Sequence, residues 1–136
     1  MSQGSRRVQR ITSGAPWEDR VGYRRAVRVG DQVFVAGTVS ANPEGSVHAP
    51  GDPGAQAARC LEIIEKALDQ AGAQLRHVVR TRVYVTDMSP ETQAAVGAAH
   101  HAVFKDFPPA SAMIGVSALT DRAHLVEIEA DAVIYD

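Results

Sequence analysis

Three acidic side chains alternate along the segment "VEIEAD" near the end of the chain, and they are the first candidates for chemistry. Glu127, Glu129 and Asp131 are two residues apart, so one face of a strand would carry all three. For Glu129 and Asp131 we favour a solvent-facing row, because acids are seldom buried without partners. Glu127 stands at the strand entrance, where we expect the stretch around Ser111 to pack beside it. A partly desolvated carboxylate there would have a raised pKa and could act as a general base on water.

The histidines do not form a recognisable metal site. No pair among them has a metal-site spacing, so we predict no metal; they are His48, His77, His100, His101 and His124. The adjacent His100 and His101 would point to different sides of a helix. Either could face a cleft as an acid-base group, but we favour surface or interface positions for both.

Ser111 is the reactive side chain of "FPPASAMIGVSAL", which we interpret as a proline-marked turn that runs into a short strand. It lacks the Gly-x-Ser-x-Gly elbow, and no glycine-rich segment has the spacing of a phosphate loop, so serine hydrolysis and nucleotide binding are disfavoured. The arginines of "GYRRAVRVG" would bind an anion or, as we favour, carry strand-surface charge. Trp17 is either a lid or an anchor, and the sequence does not choose between them.

Length and charge limit the partners. A chain of 136 residues suits one domain, so a cleft that needs more walls must borrow them from another subunit. A net charge of -2 and a pI near 6.2 leave no basic surface for nucleic acid, which favours a small-molecule ligand or a second copy as the partner. A single cysteine, Cys60, fits a reducing compartment, and we expect it to be a small helix residue. No apolar segment resembles a signal peptide or could span a membrane, so we expect a cytoplasmic protein.

The order of predicted elements is β-β-α-β-α-β-β, an α+β fold with two helices on one face of a mixed sheet. We assign residues 1–20 to a polar N-terminal segment and residues 21–136 to a single domain. The predicted elements are a hairpin around Gly30-Asp31, a loop over 40–54, a helix from Pro53 to about Ala71, an alternating strand with Val79, Thr81, Val83 and Val85 on its core side, a helix from Pro90 to about Lys105, the short strand after Pro109, and the acidic strand. The small residues of the second helix predict its close approach to the sheet.

Three stretches together resemble the reactive intermediate deaminase (Rid) family, also called the endoribonuclease L-PSP family. They are "GYRRAVRVGDQVFVAGTV", "AQAARCLEIIEKALDQAGAQLRHVVRTRVYVTDM" and "PPASAMIGVSALTDRAHLVEIEADAV", which cover nearly all of 22–136. The resemblance implies a chorismate-mutase-like α+β subunit in a homotrimer, with ligand clefts between neighbouring subunits. It also implies hydrolysis of a 2-imino acid or its enamine to a 2-keto acid and ammonia, without a metal or an organic cofactor.

The resemblance places site residues at three positions of this chain. Tyr23 in "GYRRA" falls at the family's site tyrosine, and Gly37 in "VAGT" at the glycine whose backbone approaches the ligand. Glu127 falls at the glutamate that orients water. A ribonuclease activity, which the family's older name suggests, is disfavoured by the near-neutral charge.

The chain departs from the deaminases at Ser111, a fourth site position. They carry Pro-Ala-Arg-Ser where this chain has Pro109-Ala110-Ser111-Ala112, and a serine cannot supply the charged fork with which arginine binds a carboxylate. Relatives without that arginine share "PWE" and a helix histidine at His100, so the chain resembles that branch, with Ser111 and His100 lining the cleft. We expect a hydrolase of imines, enamines or related small carbonyl compounds; the alternative is a non-catalytic trimer that binds a small molecule.

Overall fold

A computed structural model describes residues 7–136, which form one mixed six-stranded sheet and its helices. The elements in chain order are β1 (Val8–Ile11), α1 (Pro16–Val21), β2 (Ala26–Val29), β3 (Gln32–Val39), α2 (Pro53–Gln70), a 3-10 turn (Leu75–His77), β4 (Val78–Val85), α3 (Pro90–Phe104), β5 (Ala110–Gly115) and β6 (Val126–Val133). The predicted α+β class, hairpin, two long helices and acidic strand are confirmed.

The strand order is β1-β2-β3-β6-β4-β5, which puts the acidic strand β6 in the interior of the sheet. All neighbours are antiparallel except β4 and β5, which run parallel. A parallel pair needs a crossover, and α3 provides it. The last strand therefore returns between β3 and β4, so its alternate residues share a face with residues of both neighbours.

Helix α2 covers the apolar face of the sheet, which we call the helix face. It begins at Pro53, where Asp52 accepts a hydrogen bond from the Ala55 amide at 3.0 Å, as the cap pattern predicts. Its predicted stripe is buried against the inward residues of β3 and β6; the stripe residues are Ala57, Leu61, Ile64, Leu68 and Ala71. The spacing of the apolar residues and the capping residues in the sequence were therefore sufficient to place this helix.

Helix α3 packs mainly against α2, although we predicted its close approach to the sheet. A methyl group on Gly54 of α2 would lie 3.4 Å from the Cβ and carbonyl oxygen of Ala95 of α3. The small residues therefore allow α3 to pack closely against α2. The end of α3 still reaches the sheet through a polar contact of His100, described below.

One predicted strand side is wrong at its start. Val79 was expected on the core side with Thr81, but its side chain is 43% exposed. The pairing of β4 with β6 shifts between Val78 and Arg80. This irregularity shifts the alternation of inward and outward side chains by one residue. From Thr81 onward the predicted faces are confirmed.

The polar N-terminal segment contains two elements that we did not predict. Strand β1 pairs with β2, and the short helix α1 follows it. Residues 1–6, the start of the segment that we assigned to the polar N-terminus, lie outside the described residues. From residue 7 onward, no helix has both the length and the apolar character needed to cross a bilayer.

Candidate functional site

The acidic row of β6 lies on the sheet face opposite the helices, which we call the open face. Arg82 of β4 reaches Glu129 at 3.3 Å and Asp131 at 3.2 Å, and the Tyr84 hydroxyl donates to Glu129 at 2.9 Å. Glu129 and Asp131 are 30% exposed, so they are paired and partly buried rather than freely solvated. Glu127 is the member of the row that this network does not engage.

Glu127 is half-buried and packs directly on Gly37. No group between residues 7 and 136 donates a hydrogen bond to its carboxylate. Burial raises the pKa of Glu127 above its ordinary value, the charge of Glu129 raises this pKa further, and Arg25 opposes both. The raised pKa predicted from the sequence is confirmed, and the carboxylate keeps its lone pairs available for a water molecule or a ligand.

Gly37 lies in a break of the sheet ladder that Arg25 braces. The pairing of β3 with β6 shifts between Val35 and Thr38, which takes Gly37 out of the regular register. The Arg25 guanidinium donates from Nη2 to the Gly37 carbonyl oxygen at 2.5 Å, and its Nε is buried without a partner in the described part of the chain. Its Cζ lies 6.0 Å from the ring centroid of Tyr23. Tyr23, Arg25, Gly37 and Glu127 thus form one group, the Glu127 cluster.

Gly37→Ala should displace Glu127 without unfolding the protein. The added methyl group would lie 2.7 Å from Glu127 Oε2 and 2.9 Å from Cδ, so the flexible end of that side chain must move. Since a displacement of about 1 Å at a reacting group can cost orders of magnitude, we expect any turnover that depends on Glu127 to fall about tenfold or more. Thermal unfolding should shift by less than the equivalent of about 1 kcal/mol.

Gly97→Ala is the matched control. Gly97 lies in α3, and a methyl group there would meet nothing within 4 Å. Alanine in a helix interior should stabilise the fold by about 0.5–1 kcal/mol and leave turnover unchanged. Equal effects of the two substitutions on turnover would contradict the role given to the contact between Gly37 and Glu127.

Glu18 supports the Tyr23 side of the cluster, and sequence reasoning did not single it out. The amides of Gly22 and Tyr23 donate to its carbonyl oxygen at 2.9 and 3.0 Å. Its buried carboxylate accepts hydrogen bonds from the Thr12 hydroxyl at 2.9 Å and from the amide and hydroxyl of Ser13. Burial would raise the pKa of Glu18, but these hydrogen bonds and the charge of Arg25 outweigh it and lower the pKa. The "PWE" motif was the available signal, and its glutamate fixes the approach to Tyr23.

Ser111 and His100 belong to a second group, the Ser111 chain. His100 Nε2 lies 2.8 Å from Thr81 Oγ1, and the Thr81 hydroxyl donates to Ser111 Oγ at 2.8 Å. Thr81 is fully buried, His100 is half-buried against Phe104, and Ser111 is exposed on β5. The link through Thr81 was missed, because nothing in the sequence near Thr81 marks it as a polar contact.

The two groups do not meet within one chain, so our expectation that Glu127 lies beside Ser111 is wrong. Ser111 pairs with Thr81 of β4 and Glu127 pairs with Tyr84 of the same strand. Thr81 and Tyr84 are three residues apart, so the two site residues lie on opposite faces of the sheet. Two strand spacings and three residue steps separate their Cα atoms by about 14 Å.

A groove of about 710 Å³ lies on the open face, and Tyr23 is the one predicted site residue that lines it. Its walls also include Phe34, Arg82, Glu129 and Asp131. Phe34 is 45% exposed although it is a large apolar side chain. The groove therefore adjoins the Glu127 cluster but does not contain Glu127.

The remaining candidate residues are Cys60 and Trp17. Cys60 is buried in α2, and burial raises the pKa of its thiol to about 12, so it remains a neutral core residue as predicted. Trp17 lies on α1 and is 44% exposed. Among residues 7–136, no three histidine, cysteine or acidic side chains are grouped as ligands for an ion.

Comparison with known proteins identifies the family to which this chain is related. The family model described as endoribonuclease L-PSP matches residues 14–134. An uncharacterized protein of Streptomyces coelicolor is 34% identical over 128 residues, which are 94% of this chain and 93% of that protein. A mouse protein named 2-iminobutanoate/2-iminopropanoate deaminase is 32% identical over 82% of this chain and 80% of its own length.

A crystal structure gives the same result for the fold. A Mycobacterium tuberculosis member of the YjgF/YER057c/UK114 family superposes with a TM-score of 0.84 and is 43% identical, over 94% of this chain and 100% of that one. The match of the family model covers nearly the whole described chain and both halves of the candidate site. The chain therefore belongs to the Rid family, also known as the endoribonuclease L-PSP family.

Proposed function

We propose that this protein hydrolyses an imine, an enamine or a related small carbonyl-derived metabolite, with Glu127 positioning and activating water. The observation that carries the proposal is the state of Glu127: it is half-buried, has a raised pKa and accepts no hydrogen bond from the described residues. A carboxylate used only for structure would be paired, as Glu129 and Asp131 are. The name of the mouse relative supports the same reaction class.

The proposed reaction needs only water and side chains. Glu127 takes a proton from water as the oxygen bonds to the imine carbon, and the C=N π electrons move to nitrogen, which takes that proton from Glu127. Glu127 then transfers the hydroxyl proton of the carbinolamine to the same nitrogen, the C=O bond forms as the C–N bond breaks, and ammonia leaves with the carbonyl compound as the other product. Because a general base works best when its pKa approaches the working pH, the burial that raises the pKa of Glu127 favours this role.

The separation of the two groups favours a site shared between copies of the chain. A small substrate cannot span about 14 Å and both faces of a sheet, so the Glu127 cluster and the Ser111 chain would have to come from neighbouring subunits. The open face has the features of a covered surface, since Phe34 and Ile114 are exposed there beside the paired charges of Arg82. We propose a homotrimer whose clefts combine the two groups. We also propose that the protein acts in the cytoplasm and needs no cofactor.

The assembly is directly measurable. Light scattering coupled to size-exclusion chromatography should give a mass three times that of the 14.5 kDa chain at micromolar concentration. Phe34→Lys should shift the mass toward the monomer, because it places a charge on the exposed part of the open face. A wild-type monomer would contradict both the trimer and the shared cleft.

A non-catalytic small-molecule-binding trimer is the second candidate, and Ser111 is the observation that favours it. Without the family's arginine, the cleft would bind a ligand and lack the charge that holds a 2-imino acid for attack. The two candidates differ in the effect of Glu127→Gln. Loss of turnover supports the hydrolase, while ligand binding without any turnover supports the binding protein.

A further inference from the structure

The Ser111 chain is a hydrogen-bond relay of three side chains, Ser111, Thr81 and His100. Thr81 has one hydroxyl hydrogen and two partners, His100 Nε2 and Ser111 Oγ, each at 2.8 Å. When Thr81 donates to Ser111, His100 must donate from Nε2, and the hydrogen of Ser111 is left for an outside acceptor. The direction of one buried hydrogen bond therefore decides whether Ser111 offers a ligand a donor or only lone pairs.

The surroundings of the relay keep it neutral and fixed. Burial lowers the pKa of His100, which favours the uncharged form of the ring. Thr81 is fully buried, and the His100 ring lies 4.7 Å from that of Phe104, between centroids, which limits its rotation. Met113, the next side chain on the same face of β5, is apolar and packs against the core. No cation in this group could offset the charge of a bound carboxylate.

We propose that Ser111 is a neutral hydrogen-bond donor for an uncharged oxygen or nitrogen of the ligand, oriented by Thr81 and His100 as positioning residues. This inference rests on the proposed function, because the proposed function identifies the ligand as the reacting imine or carbonyl compound. It narrows the substrate class to imines of simple amines or uncharged carbonyl compounds, as opposed to 2-imino acids. A carboxylate at Ser111 would find no charged partner within the Ser111 chain, whereas an uncharged acceptor would satisfy the serine.

Two probes that differ only in charge test the ligand class: 2-oxobutyrate and 2-oxobutanamide. Titration of ¹⁵N-labelled protein should show that the amide binds about tenfold more tightly than the carboxylate, since one neutral hydrogen bond is worth about that ratio and the carboxylate lacks a partner. Ser111→Arg should reverse the order. Tighter binding of the carboxylate by the wild type, or binding of neither probe, would overturn the proposal.

The positioning role has its own test in Thr81. Thr81→Val keeps the shape and removes the relay, so it should weaken amide binding about as much as Ser111→Ala, by roughly tenfold. Thr81→Ser keeps the hydroxyl and should restore binding, which a purely structural role would not require. The ¹⁵N shifts of His100 should report the Nε2–H tautomer in the wild type and change in Thr81→Val. An Nδ1–H tautomer in the wild type would reverse the relay and overturn the assignment of Ser111 as donor.

These outcomes separate the inference from the proposed function. A protein that binds the amide through Ser111 but hydrolyses no imine would end the proposed function and leave the donor assignment standing. A protein that hydrolyses imines through Glu127 but prefers the carboxylate probe would do the reverse.

Discussion

Glu127→Gln should lower imine turnover by about 10²-fold or more, because the amide keeps the shape of the side chain and cannot accept a proton from water. The measurement is competition between the protein and semicarbazide for an imine released by a flavin amine oxidase. Burial raises the pKa of Glu127, so its ionised form costs stability in the fold. The variant should therefore unfold at the same temperature as the wild type or higher at pH 7, which separates lost chemistry from lost structure.

The acid limb of the pH profile is a second test of the role of Glu127. The reaction needs ionised Glu127, so turnover should fall as the pH drops through a pKa above that of an ordinary glutamate. Glu129→Gln is the matched control, since it removes a neighbouring negative charge that raises the pKa of Glu127. We expect near-normal turnover at neutral pH in this variant, with the acid limb moved to lower pH. An acid limb that stays in place in Glu129→Gln, or normal turnover in Glu127→Gln, would assign the chemistry to another group.

Local signals in the sequence were sufficient for the elements that carry Glu127. Alternation along β6 predicted which residues face inward, and the structure buries Val126, Ile128 and Ala130 while leaving Glu127 and Glu129 half-buried. Caps predicted the starts of both long helices. These features depend on residues within a few positions of one another, so the sequence displays them directly.

The relation between Glu127 and Ser111 could not be predicted in this way. It depends on the strand order, in which β4 separates β6 from β5, and on the three-residue offset between Thr81 and Tyr84. The link from His100 to Ser111 likewise passes through a residue 19 positions before one and 30 before the other. Strand β1 was missed for the same physical reason, since pairing with β2 stabilises a segment whose own sequence is polar.

Ser111 should make the wild-type protein a poor deaminase of 2-iminobutyrate. Without a charged fork the carboxylate is not held and the imine carbon is not fixed against the water, and loss of orientation can cost about 10²-fold or more in rate. With an L-amino-acid oxidase as the source of the imine, wild type should leave semicarbazide trapping almost unchanged. An imine of benzylamine, which has no carboxylate, should be hydrolysed faster.

Ser111→Arg should then raise activity on 2-iminobutyrate, with Ser111→Lys as the control that adds the charge without the fork and should gain less. Should the wild type already compete with semicarbazide for 2-iminobutyrate, another cation must hold the carboxylate. Arg24 is engaged by Asp19 at 3.0 Å and by the Tyr23 carbonyl oxygen at 2.9 Å, whereas Arg25 lies in the Glu127 cluster with its Nε unpartnered among the described residues. Arg25→Lys would then abolish that activity, and the loss of the family's arginine would have been compensated from the other half of the site.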